Sequence, residues 1–174
     1  MLTKEDAIAR MIQVEHRLAR ECEEAPEALW HSRPAANHWS MADVCEHVTL
    51  SHDNLYKLLS ARVLETRIAT GATDVADDEM PFLFYRGEEP PNIAVPIGRW
   101  PAKADGIAAF RASVKPFISW AEAANIDLRG HGASHPIFGM LDGVQWLLFT
   151  AAHMERHRAQ IIGLLRAAAP NSRV

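Results

Sequence analysis

The stretch 142–168, DGVQWLLFTAAHMERHRAQIIGLLRAA, decides the fold. Asp142 has the chemistry of a helix N-cap, Gln145 lies three residues on, and Leu141 before the cap can pack on Trp146. Pro170 marks the stop. At about 100° per residue, with His153 at zero, Trp146 and Leu164 fall at about 20° and His157 at about 40°. Phe149 falls at about −40° and Ile161 at about 80°, while Glu155, Arg158 and Arg166 fall about 140 to 160° away. The spacing predicts a long helix with two histidines, one turn apart, in the middle of its core-facing stripe.

Moving outward along the chain, Ser40-Met41-Ala42-Asp43 is a capping box, and Trp39 can pack on Val44 as a hydrophobic staple. The helix it opens is expected to run to about Ala69, with Gly71 as its stop. With His47 at zero on this helix, Leu58 falls at about 20°, Ser51 at about 40° and Val44 at about 60°. His47 is therefore expected inside. His52, about 140° away, is expected on the flank or the surface, and Cys45, at about 160°, points away from the histidine face as well. A first helix opens at Thr3-x-x-Asp6, carries Ile8, Met11, Ile12, Leu18 and Cys22 at helical spacing, and ends at Glu24-Ala25-Pro26. A third is carried by Ile107, Phe110, Val114, Phe117, Ile118 and Ala121, and Pro116 is expected to kink or divide it. Residues 71–102, with five prolines and an acidic run, read as a long loop packed by Phe82, Phe84, Tyr85 and Trp100.

Four helical blocks without strand-like alternation or internal repeat predict an all-α four-helix bundle, with the long loop between the second and third helices. With 174 residues, the chain is expected to form a single domain, 1–174, whose core is large enough to fold without a structural metal or disulfide. The composition is ordinarily globular, at 48% hydrophobic and 23% charged residues. A net charge of −4 argues against nucleic acid as a partner. There is no apolar run of membrane-spanning length, and the start, MLTKEDAIAR, has no signal-peptide core. Cys22 and Cys45 make no disulfide framework, so a cytoplasmic location is expected.

Nine histidines are the compositional oddity. Three inward imidazoles, His47, His153 and His157, need their nitrogens satisfied, because a buried ring must pair both nitrogens or carry a costly charge. One divalent metal would take a lone pair from each ring and leave the other N–H for an outer acceptor. Three nitrogen ligands leave coordination positions open, as catalytic or substrate-binding sites require. The bland alternative is a set of core histidines satisfied by Ser51, Thr150 or backbone carbonyls. Asp43 and Gln160 are candidate outer acceptors, although Asp43 equally reads as a cap alone. Glu15, on the Ile8/Met11 face of the first helix, is the one candidate catalytic base; it could also be a fourth ligand or a partner for Arg156. His131 and His135 form a second spaced pair, but Gly130, Gly132 and Pro136 put it in a loop. His153-Met154-Glu155-Arg156-His157 is not the H-E-x-x-H of zinc proteases, and no Glu-x-x-His supports a di-iron centre. C-x-x-C, a phosphate-binding glycine loop and G-x-S-x-G are all missing.

The runs Trp39-Ser40-Met41-Ala42-Asp43-Val44-Cys45-Glu46-His47 and His135-Pro136-Ile137-Phe138-Gly139 through Trp146 to His153-Met154-Glu155-Arg156-His157-Arg158-Ala159-Gln160-Ile161 resemble the DinB-like (YfiT-like) metalloenzyme superfamily. The resemblance covers nearly the whole chain and is loose over 71–102. It implies a four-helix bundle, often a homodimer, that binds one divalent ion through His47, His153 and His157; three imidazoles suit zinc, nickel, iron or copper, with zinc or nickel foremost. It further implies a small-molecule substrate and a low-molecular-weight thiol as co-substrate, since family members with known activities mostly use such a thiol and include thiol S-transferases and maleylpyruvate isomerase. Others are described as metal-dependent hydrolases. The expected activity is thus thiol transfer to a small electrophile. Hydrolysis by a metal-activated water and a non-catalytic metal or ligand-binding module are the alternatives.

Overall fold

Side chains at three helix starts explain where the frame begins. The structure, a computed structural model, describes residues 1–63, 66–81 and 94–168. Expectations placed on Phe82, Phe84, Tyr85, Pro90, Pro91 and Pro170 lie outside the described residues. The frame is α1 (Lys4–Glu24), α2 (Met41–Leu58), α3 (Lys103–Ala123) and α4 (Gly143–Ala168). Thr3 and Ser40 each accept the N–H three residues on, while the Asp6 and Asp43 carboxylates accept back from the cap. Asp142 and Gln145 exchange the same pair of bonds before α4, at 2.8 and 3.3 Å. These boxes satisfy N–H groups that a helix otherwise leaves bare. Of the kink or division expected at Pro116, division does not occur: α3 runs through the proline as one helix. Phe110, Val114, Phe117 and Ala121 are buried on both sides of the proline, and that packing outweighs the roughly 3 kcal/mol an internal proline costs.

The order around the bundle is α1, α3, α2, α4: each of these neighbours packs on the next, and α1 packs on α4. Helices consecutive in sequence, α1 with α2 and α3 with α4, therefore lie across the diagonals. Ion pairs give the directions. Arg17 meets Glu155 and Glu21 meets Arg158, so α1 and α4 run parallel. Lys103 bonds the Ala25 carbonyl and Arg111 bonds Glu15, so α3 runs against α1. The core between them holds Leu18, Trp30, Phe110, Phe117, Trp146 and Leu147, all essentially inaccessible.

Two expectations fail here because a helix read by itself shows no neighbours. His52, expected at the surface, is 0% exposed because α3 covers that side of α2 with Phe110, Ser113 and Phe117. Cys45, for which no exposure was expected, is buried with its Sγ 3.5 Å from that of Cys22 on α1. And α2 does not reach Ala69; it ends at Leu58, followed by a turn of π-helix over Leu59–Val63. Residues 66–68 are extended instead and bond to Gly130, His131 and Gly132.

That pairing extends a feature the sequence reading missed, a hairpin of β1 (Gly132–His135) and β2 (Gly139–Asp142) in antiparallel register. Gly139, at φ 72°, turns beside Asp74, whose carboxylate accepts the Met140 N–H. The hairpin leads into α4 and is locked at its base by Arg129, which bonds Asp77, Asp142 and the Leu2 carbonyl. The described parts of 71–102 are thus fastened to the frame. Among the described residues, no helix is long and apolar enough to cross a membrane.

Candidate metal centre

His47 stands seven residues past the Ser40 cap on α2, and His153 and His157 lie one turn apart on α4, which runs against α2 beside it. The arrangement brings the three rings together. Ring centroids are 5.4 Å apart for His47 and His153, 4.8 Å for His47 and His157, and 4.6 Å for His153 and His157. One nitrogen from each lies within 4.8 Å of the other two. The Nε2 atoms of His153 and His157 are 3.1 Å apart.

Outer acceptors fix two of the rings. The Nδ1–H of His47 donates to the Ala94 carbonyl at 2.9 Å, and that of His157 to Gln160 Oε1 at 3.0 Å. Each bond commits the hydrogen to Nδ1 and leaves Nε2 as a bare lone pair directed inward. Trp39 closes one side, its ring 4.8 Å from His47 and stacked on His157 at 6.5 Å.

Burial keeps these rings neutral. It pushes His157 down to about 3, helped by the neighbouring His47, with the Gln160 bond pulling the other way. His153 is lowered well below the ordinary value by burial and then by His157 and His47. His47 is lowered by burial and by Arg156, against the pull of the Ala94 carbonyl. Neutral imidazoles with converging lone pairs are the donor set that a borderline divalent ion takes.

Other expected residues are elsewhere. Glu15 is buried and outside the three-histidine group; its carboxylate bonds Arg111 on α3 at 3.1 Å and lies 3.4 Å from His16. Its side of α1 is the one turned to α3, as the Arg111 bond shows. Asp43 serves its cap and pairs with Arg33, so the outer acceptor of His47 is a backbone carbonyl. Although burial alone would raise it, the Ser40 and Arg33 bonds hold the Asp43 carboxyl below its usual range. His135 structures its turn, Nδ1 accepting from Ile137 and Phe138, and packs among Phe138, Trp146 and Phe149. A groove of about 630 Å³ exists at the far end, lined by Leu2, Arg10, Asp74, Asp77, Arg129 and others, with none of the three histidines. The sequence around Trp39 signals only a staple for Val44; its part as a wall depends on α4 lying beside it. The Ala94 carbonyl carries no sequence signal.

The sequence profile of the DinB superfamily matches residues 10–161. Among solved structures, the chain is similar to YfiT from Bacillus subtilis, with a TM-score of 0.63 at 17% identity, covering 95% of this chain and 89% of that one. YfiT is described as "a probable metal-dependent hydrolase with an unusual four-helix bundle topology". A DinB-family structure from Exiguobacterium sibiricum 255-15 is similar with a TM-score of 0.55 at 18% identity, covering 100% and 97%. No curated protein sequence matches the chain significantly.

Proposed function

This chain belongs to the DinB superfamily, and from that membership and the three converging imidazoles we propose that His47, His153 and His157 hold one divalent metal ion, zinc or nickel foremost, in an enzyme acting on a small molecule. Bound there, the ion would keep its full double charge on three neutral ligands and acidify whatever ionisable molecule takes its open positions. The protein's share is orientation. Ala94 and Gln160 hold two rings with Nε2 inward, and Trp39 shields one side from water. The observation that carries the proposal is the convergence of three nitrogens within 4.8 Å on two facing helices.

Hydrolysis is the first reading, supported by the likeness to YfiT, which is itself described as "a probable metal-dependent hydrolase". Thiol transfer is the second, favoured by one feature. Among the described residues no carboxylate joins the three histidines, and Glu15 is engaged with Arg111. Water activation usually draws on a nearby base, whereas a low-molecular-weight thiol ionises on a metal unaided. Elemental analysis of untagged protein is expected to find one ion per chain, lost in His153→Ala with helix content unchanged. Failure to take up zinc or nickel on dialysis would overturn the centre. Ester or amide turnover without thiol supports hydrolysis, thiol consumption with an electrophile supports transfer, and an ion with neither marks a non-catalytic module.

A further inference from the structure

Glu46, beside His47 on α2, is 3% exposed, and a carboxylate is costly to bury unless its oxygens are met. Here backbone meets them: Oε1 accepts from Ile97 N–H at 2.9 Å, and Oε2 from Gly98 and Arg99 N–H at 2.8 and 3.1 Å. Gly98 sits at φ 79°, the left-handed conformation that lets successive N–H groups curl around one anion. The Arg99 guanidinium adds charge, its Nε 3.8 Å from Oε1. Just before this nest, the Ala94 carbonyl takes the Nδ1–H of His47. Only Val95 and Pro96 separate the two grips, and Pro96 stiffens both its own position and the one before it. Residues 94–99 are thus held at two points by adjacent residues of α2.

We infer that Glu46 is a positioning residue: it fastens the 94–99 segment across α2 so that the Ala94 carbonyl keeps His47 in the Nδ1–H tautomer, with Nε2 turned to His153 and His157. An unheld neutral imidazole can carry its hydrogen on either nitrogen. A fixed tautomer offers the lone pair where the other two rings converge. Only the last consequence, an effect on metal affinity, rests on the metal reading above.

Two variants release the segment by different routes. Glu46→Gln sets an amide NH2 against backbone donors and keeps the side chain's size. Gly98→Val strains the nest at an exposed position where an added Cβ meets nothing within 4 Å, so the core is untouched. In metal-free protein, long-range ¹⁵N spectra of the rings and amide exchange at 97, 98 and 99 are the readouts. Wild type is expected to show one Nδ1–H tautomer at His47 and protected amides. Both variants are expected to exchange at least about tenfold faster there and to show mixed tautomers, with zinc binding about 10 to 100-fold weaker. If His47 stays in one Nδ1–H tautomer in both variants while the amides loosen, the inference is overturned. If the tautomer mixes but wild type itself takes up no zinc, the positioning role stands and the metal reading falls.

Discussion

His52 is buried against Phe110, Phe117 and Ser113, and burial pushes its pKa down to about 3, with His47 adding to the effect. His135 is lowered to about 4 by burial. Both rings titrate near 6.5 when unfolded, so the unfolded chain takes protons first as pH falls. The stability these rings preserve is therefore complete above about pH 6.5 and is lost on the way down toward about 3 to 4. Each ring adds a slope of up to about 1.4 kcal/mol per pH unit inside that window. Urea unfolding with chelator present, at pH 7, 6 and 5, is expected to show falling stability. His52→Leu is expected to remove about one proton's worth of that slope, since Ser113 keeps its bond to the Phe110 carbonyl. A flat profile between pH 5 and 7 would contradict this reading. The angular arithmetic placed His47, His153 and His157 on the sides where the rings meet because an apolar stripe marks those sides. It failed for His52 because α3 covers a second side of α2, and a single helix cannot reveal its second neighbour.

Elements were legible where their causes are local. The boxes at Thr3, Ser40 and Asp142 each span four residues, so the sequence carried their whole mechanism, and all three formed. The β1–β2 hairpin escaped notice because its strands are four residues each and their third partner, 66–68, comes from the expected tail of α2. Thr66 and Ile68 are β-branched and take up this pairing more readily than they extend a helix. The hairpin also carries a residue-type requirement. At Gly139 any other residue would adopt left-handed backbone, and its Cβ would overlap the Asp74 carboxylate. Gly139→Ala is expected to cost about 2 kcal/mol or more, read by denaturant titration. An unchanged midpoint would mean that the Asp74 contact is not held in solution.

For the whole molecule, Arg129 joins the N-terminal segment, the 77 region, the hairpin and the start of α4 in one buried network. Asp142 is 1% exposed, so removing its partner leaves a carboxylate stranded in the core. Arg129→Ala is expected to destabilise the protein by about 3 to 5 kcal/mol. Adding Asp142→Asn should restore part of that loss in a double-mutant cycle, and simple additivity would show that the two do not share an interaction. The four-helix bundle was legible from four periodic blocks. Its connectivity was not, because nothing local to a helix says which partner lies beside it and which across the diagonal. The parallel pairing of α1 with α4 bears on how the chain finds its shape. Glu21 and Arg158 meet across 137 positions of sequence, and such distant contacts must wait for the chain to close a long loop before they give any return. An up-and-down bundle can assemble from successive helical hairpins within microseconds to milliseconds. This chain cannot zip up that way. Its first helix meets its last only after a long loop has closed, and the histidine cluster, drawn from residues 47 and 153–157, likewise joins distant parts of the chain.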